Sequence, residues 1–178
     1  MKNLPSNTIY TIGHSTHPIA EFLEMLKYYD VKVLADIRRL PGSKKYPQFD
    51  QENLKKSLQE VGIEYLYLTD LGGRRKVNKD SKNNRWNNPS FRAYADYMET
   101  DEFKNAALNL GNIASTQTTV YMCSEAVWWR CHRSMVSDFL KAKNWTVYHI
   151  MGLGKVQEHP YTSPAIILDH EVSYSDEN

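Results

Sequence analysis

The chain has 178 residues, of which 41% are hydrophobic and 24% charged, so it reads as one soluble globular domain with a proper core. No apolar run is long enough to cross a bilayer, and Met1–Asn7 lacks the apolar segment of a secretory signal. Two cysteines, Cys123 and Cys131, cannot build a disulfide scaffold, and the expectation is a cytoplasmic protein with both thiols reduced.

Thr8 to Ile12 is short, apolar and β-branched, which predicts a buried strand. Gly13-His14-Ser15 follows, and then Ile19, Phe22, Leu23 and Leu26 share one helical face, with Pro18 suited to the first turn. Val31 to Ile37 predicts a second strand, ending in Asp36 and Arg38-Arg39. Asp50 is placed to cap a helix carrying Leu54, Leu58 and Val61, stopped by Gly62. Ile63 to Leu68 predicts a third strand, followed by Asp70-Leu71-Gly72-Gly73-Arg74-Arg75. Lys76 to Pro89 is a long polar loop, a type usually functional or disordered. Ser90 is expected to cap a helix with Phe91, Tyr94, Ala95 and Met98, and a second helical piece runs from about Asp101 to Asn112. Thr118 to Met122 is a fourth strand, running into Cys123. Met135, Val136, Phe139 and Leu140 mark another helix, and Thr146 to Ile150 a fifth strand. One further apolar run, Ala165 to Leu168, lies in an acidic tail that begins near residue 157 and is expected to fray.

Alternating strands and helices predict a single three-layer, Rossmann-like α/β domain spanning 1–178, with a mostly parallel sheet of about five strands. In such sheets ligands bind outside the carboxyl ends of the strands. Those ends carry Gly13-His14-Ser15, Asp36-Ile37-Arg38, Gly72 to Arg75, and Cys123 to Arg133. Charge points the same way. The last 22 residues hold five acids and no Lys or Arg, which leaves +6 on the first 156, and Arg74 to Arg92 sets seven basic residues against Asp80 alone. A concentrated positive patch suits an anionic partner, with a solvated loop as the plain alternative.

The individual residues carry competing readings. Gly13, His14 and Ser15 sit where a strand enters a helix, a place that accepts phosphate or carboxylate on backbone N–H groups, though the spacing is no nucleotide fingerprint. Gly13 would let a ligand approach the backbone. Asp36 and Arg38 share one side of a strand end and would hold a substrate, or pair structurally. Gly73, Arg74, Arg75, His132 and Arg133 extend an Arg-lined crevice. Cys123 has the placement of a nucleophile, but no Arg stands six positions on and no glycine lies between it and Cys131, which favours a buried structural thiol. Glu125 is the candidate acid or base, or else the partner of Arg130 or Arg133. Zinc or iron on Cys123, Cys131 and His132 is a minor alternative, and no cofactor is expected. Trp86, Trp128 and Trp129 offer walls on which a base would stack, or a hydrophobic lining under the long loop.

The stretches Thr11-Ile12-Gly13-His14-Ser15, Asp36-Ile37-Arg38, Tyr46 to Phe49, Leu71 to Arg75, Phe91 to Met98 and Cys123-Ser124-Glu125-Ala126 to Cys131-His132-Arg133-Ser134 resemble, in order, the family catalogued as domain of unknown function 488. The resemblance covers Thr8 to Ile150, and more loosely reaches Tyr174. It implies a cytoplasmic α/β domain and brings no established reaction. Members often have Ala where this chain has Ser124; the following Glu125 is kept. The expectation is an enzyme that hydrolyses or transfers a group on a phosphate-bearing nucleotide or nucleic acid. Glu125, Cys123 and His14 would be catalytic, with Arg38, Arg74 and Arg133 orienting the anion. The rival is a non-catalytic nucleic-acid module using Arg74 to Arg92 as a phosphate-tracking patch, or a Cys/His metal or thiol-redox site.

Overall fold

Strands with alternating apolar side chains on both faces have to be covered on both faces. In the computed structural model, which describes residues 7–177, this holds for the central strands β1 (Thr8–Gly13), β2 (Val33–Asp36) and β4 (Thr119–Cys123). Ile9 of β1 and Tyr121 and Cys123 of β4 pack into one core. Tyr10 and Ile12 of β1 and Val120 and Met122 of β4 pack into a second core on the other face.

Helices α1 (Ile19–Tyr28) and α2 (Gln51–Glu60) close the second core with Phe22, Met25, Leu54 and Leu58. Helices α3 (Pro89–Met98), α4 (Asp101–Thr116) and α5 (Arg133–Ala142) close the first with Tyr94, Phe103, Leu110, Met135 and Val136. The result is three layers, as expected. The sheet is completed by β3 (Glu64–Tyr67), β5 (Thr146–Gly152) and β6 (Lys155–Glu158), in the order β3-β2-β4-β1-β5-β6. All neighbours run parallel except β5 and β6.

Several local details differ from the sequence expectations. Asn88, not Ser90, caps α3: its Oδ1 accepts from the backbone N–H of Ser90 at 2.8 Å, and Pro89 takes the first helical position. Asp50 does stand at the N-cap of α2, but its Oδ1 takes the Ser43 N–H at 3.2 Å instead of a helix amide. Strand β6, all of it exposed, was not expected. Nor was β8 (Glu171–Ser173), which pairs with β7 (Ile166–Leu168) through Asp169-His170, both with positive φ as a tight hairpin turn requires.

Within the described residues the acidic tail packs against the body. Tyr174 is buried and donates its hydroxyl to Asp138 at 2.7 Å. Arg85 of the long loop pairs with Asp176 at 2.7 Å and donates to the Pro164 carbonyl at 2.7 Å. Opposite charges on the loop and the tail therefore meet, and the loop is held by the tail.

Candidate functional site

The strand order puts the carboxyl ends of β2, β4 and β1 side by side, with Gly13 level with Cys123 and Asp36 level with Met122. Outside these ends lies a cavity of about 580 Å³, the size of a small-molecule site. Its walls come from the turn after β1, the turn between β2 and α2, the Gly72-Gly73 turn and the segment joining β4 to α5. Three arginines (Arg38, Arg39 and Arg74) and one acid (Glu125) line it. Neither the Arg39 nor the Arg74 guanidinium makes a hydrogen bond or ion pair among the described residues. Ser15 and Arg74, both on the cavity wall, hold left-handed backbone with φ of 47° and 58°. Strain of this kind in non-glycine residues concentrates at functional sites.

The cavity floor is a pair of thiols. Cys123 and Cys131 are both free, and their Sγ atoms lie 2.8 Å apart. Cys131 comes immediately before the first turn of α5, and the Arg133 backbone N–H points at its Sγ from 3.4 Å. His132 Nε2 lies 3.3 Å from the Ile37 carbonyl, an atom that can only accept. The proton is thereby fixed on Nε2, and Nδ1, 3.5 Å from Cys131 Sγ, is left as an acceptor for the thiol.

The two thiols have opposite acidities. Burial pushes Cys123 well up, and its hydrogen bond to Cys131 pushes it further. Burial also opposes ionisation of Cys131. The hydrogen bond from Cys123 and the charge and N–H of Arg133 outweigh it, so that Cys131 falls below the ordinary thiol value. His132 is lowered by burial, which keeps its ring neutral.

The expected site residues divide into those that reach the cavity and those that do not. His14, Ser15, Arg38, Gly73, Arg74, Cys123, Glu125 and His132 line it. Glu125 is exposed, and its carboxylate makes no hydrogen bond or ion pair among the described residues. His14 stacks on Phe49 at 4.3 Å and donates from Nδ1 to the Ser15 carbonyl at 2.9 Å; burial lowers it to about 4. Arg38 spends most of its donors internally: two go to the Asp36 carboxylate at 2.9 and 2.7 Å, and one to the Phe49 carbonyl at 2.7 Å. Asp36 is fully buried in that pair and is structural here.

Arg75, Trp128 and Arg133 lie outside the cavity wall. Arg75 stacks on Tyr97 at 3.5 Å and caps the Gly72 carbonyl. Trp128 is buried, lies flat on His149 at 4.7 Å, and donates to Gln157 at 3.0 Å, so its faces are not open to a base. Arg133 is also buried, where it donates to Thr11 Oγ1 at 3.1 Å and to the Glu125 carbonyl at 2.9 Å. Gly13 serves a different end from the one expected of it. A Cβ there would stand 1.8 Å from the Glu125 carbonyl oxygen, so what approaches this glycine is the chain's own backbone, not a ligand. Gly73 faces His132, whose Nδ1 would stand 3.0 Å from an added Cβ.

Sequence reasoning gave Cys131 only a minor metal-ligand part, and it did not single out Arg39, Ser43 and Tyr46 on the wall. The adjacency Cys131-His132-Arg133 was the available signal for the first: a thiol, an imidazole and a helix start stand in one tripeptide. Among the described residues no group of three or more His, Cys, Asp or Glu side chains is arranged to hold a metal ion, and no helix is long and apolar enough to cross a membrane.

Comparison with curated proteins and with solved structures gives no match. The family model described as Domain of unknown function DUF488 matches residues 18–140, a span that runs from the start of α1 through the Cys123–Arg133 segment into α5. That span is more than half of the chain, and the protein belongs to this family.

Proposed function

We propose that the cavity is the active site of a thiol-dependent hydrolase or transferase acting on a small phosphate-bearing substrate, with Cys131 as nucleophile and His132 as its base. The observation that carries this is the seat of Cys131 Sγ between His132 Nδ1, the Arg133 N–H and the Cys123 thiol, on the wall of a cavity that also offers Arg39 and Arg74, whose guanidinium groups are unpaired among the described residues. The thiol proton passes to His132 Nδ1 as sulfur attacks phosphorus. The S–P bond forms, the P–O bond to the leaving group breaks, and that oxygen takes the proton from His132. Water then attacks phosphorus, gives its proton to His132, and the S–P bond breaks; sulfur recovers the proton. Arg39 and Arg74 hold the anion. A nucleotide fits the volume, and Tyr46 on the wall supplies a face for its base.

The binding-module alternative draws less support. Arg75, Arg85 and Arg92 of the basic segment are committed to Tyr97, Asp176 and the Trp86 carbonyl, which leaves fewer cations to track a phosphate chain.

The test has two parts. Iodoacetamide labelling across pH should modify Cys131 with a midpoint below that of an ordinary thiol. Trypsin separates the two thiols by cutting after Arg130, so the label can be assigned. Against a panel of nucleoside mono-, di- and triphosphates, the wild type should release phosphate, Cys131→Ser should not, and His132→Asn should lose about a hundredfold or more. Labelling of Cys131 with an ordinary thiol midpoint would overturn the reading.

A further inference from the structure

A nucleophilic thiol needs one sulfur, and this floor has two in contact. Cys123 and Cys131 come from different elements, the end of β4 and the residues before α5. Nothing in the chain's connectivity forces their sulfurs to within 2.8 Å of each other. We propose that Cys131 and Cys123 form a dithiol couple that reduces small hydroperoxides, Cys131 being oxidised first and Cys123 resolving it to a Cys123–Cys131 disulfide. The proposal rests on the reading of Cys131 as the nucleophile and adds a second electrophile for it.

The geometry supports each step. Cys131 is 8% exposed and Cys123 2%, so the floor admits an oxidant of a few atoms and shuts out a protein disulfide. Cys131, with the base His132 and the Arg133 N–H on it, is the sulfur equipped to attack. Its Sγ attacks one peroxide oxygen: the S–O bond forms, the O–O bond breaks, and the departing alkoxide or hydroxide takes the thiol proton by way of His132. Cys131 is now a sulfenic acid, and the peroxide has been reduced by two electrons. Cys123 Sγ then attacks that sulfur: the S–S bond forms, the S–O bond breaks, and the hydroxide leaves with the Cys123 proton as water. An external dithiol exchanges with the disulfide and restores both thiols. The resolving sulfur is already in contact with its target, so this second step needs no opening of the chain, unlike couples whose partners lie on distant segments.

The couple makes Cys131 unavailable for group transfer while the disulfide persists. The two activities would therefore compete for one sulfur.

The experiment is intact-mass analysis of the full chain after one equivalent of hydrogen peroxide. The expected product has lost two hydrogens, carries the bond between Cys123 and Cys131 on peptide mapping, and returns to the starting mass with dithiothreitol. Cys123→Ser should stop at a sulfenic acid on Cys131 that dimedone captures. Peroxide should be consumed at the expense of dithiothreitol by the wild type and at least about tenfold more slowly by Cys131→Ser. Peroxide that leaves both thiols reduced, or carries Cys131 to a sulfinic acid with no disulfide, overturns the couple. If iodoacetamide still labels Cys131 with a low midpoint in that case, the nucleophile reading survives. If the midpoint is that of an ordinary thiol as well, both readings fall.

Discussion

Gly13 shows how much of this site is decided by one missing methyl group. The loop from Cys123 to Ala126 crosses the end of β1 so closely that the Glu125 carbonyl carbon would lie 2.7 Å, and its oxygen 1.8 Å, from a Cβ at position 13. The obstacle is backbone, which cannot rotate aside as a side chain can. Gly13→Ala therefore has to push the loop outward, breaking the bond from Arg133 to the Glu125 carbonyl and shifting the strand end that carries Cys123. We expect a loss of about 3 kcal/mol or more in urea denaturation, at the upper end of overpacking penalties. A loss below about 1 kcal/mol would mean that the loop yields easily. Gly73→Ala is the milder case. Its Cβ meets the His132 ring at 3.0 to 3.3 Å, so a small displacement of the ring suffices. That ring lies 3.5 Å from Cys131 Sγ, so alkylation of Cys131 should slow while stability changes little.

At the scale of elements, α5 is tied to the sheet and to the tail by a buried polar chain. The Asp138 carboxylate accepts from His159 Nε2 at 2.8 Å, from the Thr162 N–H at 2.9 Å and from Tyr174 at 2.7 Å. The line continues from His159 Nδ1 to His149 Nε2 at 2.8 Å and from His149 Nδ1 to Thr11 Oγ1 at 2.6 Å. Thr11 in turn accepts from Arg133. A buried carboxylate at one end and a buried guanidinium at the other are thus joined through two imidazoles and a hydroxyl. Asp138→Asn puts a donor where four donors converge, the Thr162 hydroxyl being the fourth. We expect it to cost about 3 kcal/mol and to speed hydrogen exchange at Thr162. An unchanged midpoint would show that the chain tolerates a reversed dipole. Little of this was legible in the sequence. The strands and helices could be read because β1 and β4 are short, continuous apolar runs and α5 carries apolar residues at helical spacing. His149, His159 and Asp138 are isolated polar residues in apolar or irregular stretches, and no spacing connects them. Strand β6 was missed for a related reason: all four of its residues are exposed, and Lys155-Val156-Gln157-Glu158 offers no buried face to recognise.

For the molecule as a whole, the same topology that made the site readable also explains acid sensitivity. The parallel sheet brought His14, Cys123 and Arg38 to one edge, as strand ends in chain order predict. What the sequence did not disclose is that most imidazoles near that edge are buried and kept neutral. Burial lowers His14 to about 4 and His149 to about 2, and lowers His132 as well. The neighbouring charges are mixed for His14, where Arg38 and His17 lower and Asp36 raises, while His159 and Arg133 lower His149 further. An unfolded imidazole titrates near 6.5, so between that value and the folded one the unfolded chain binds the extra proton. The stability these groups contribute is complete above pH 6.5 and is withdrawn as pH falls, each imidazole adding a slope of up to about 1.4 kcal/mol per pH unit. With His14 and His149 acting together over the interval from 6.5 to 4, the sum becomes comparable to the whole stability of an ordinary domain. The urea midpoint should therefore drop steadily across that interval, before the carboxylates titrate. His14→Asn should remove one share of the slope and leave the rest. A midpoint that stays flat down to pH 4.5 would show that these rings take up protons without unfolding the sheet around them.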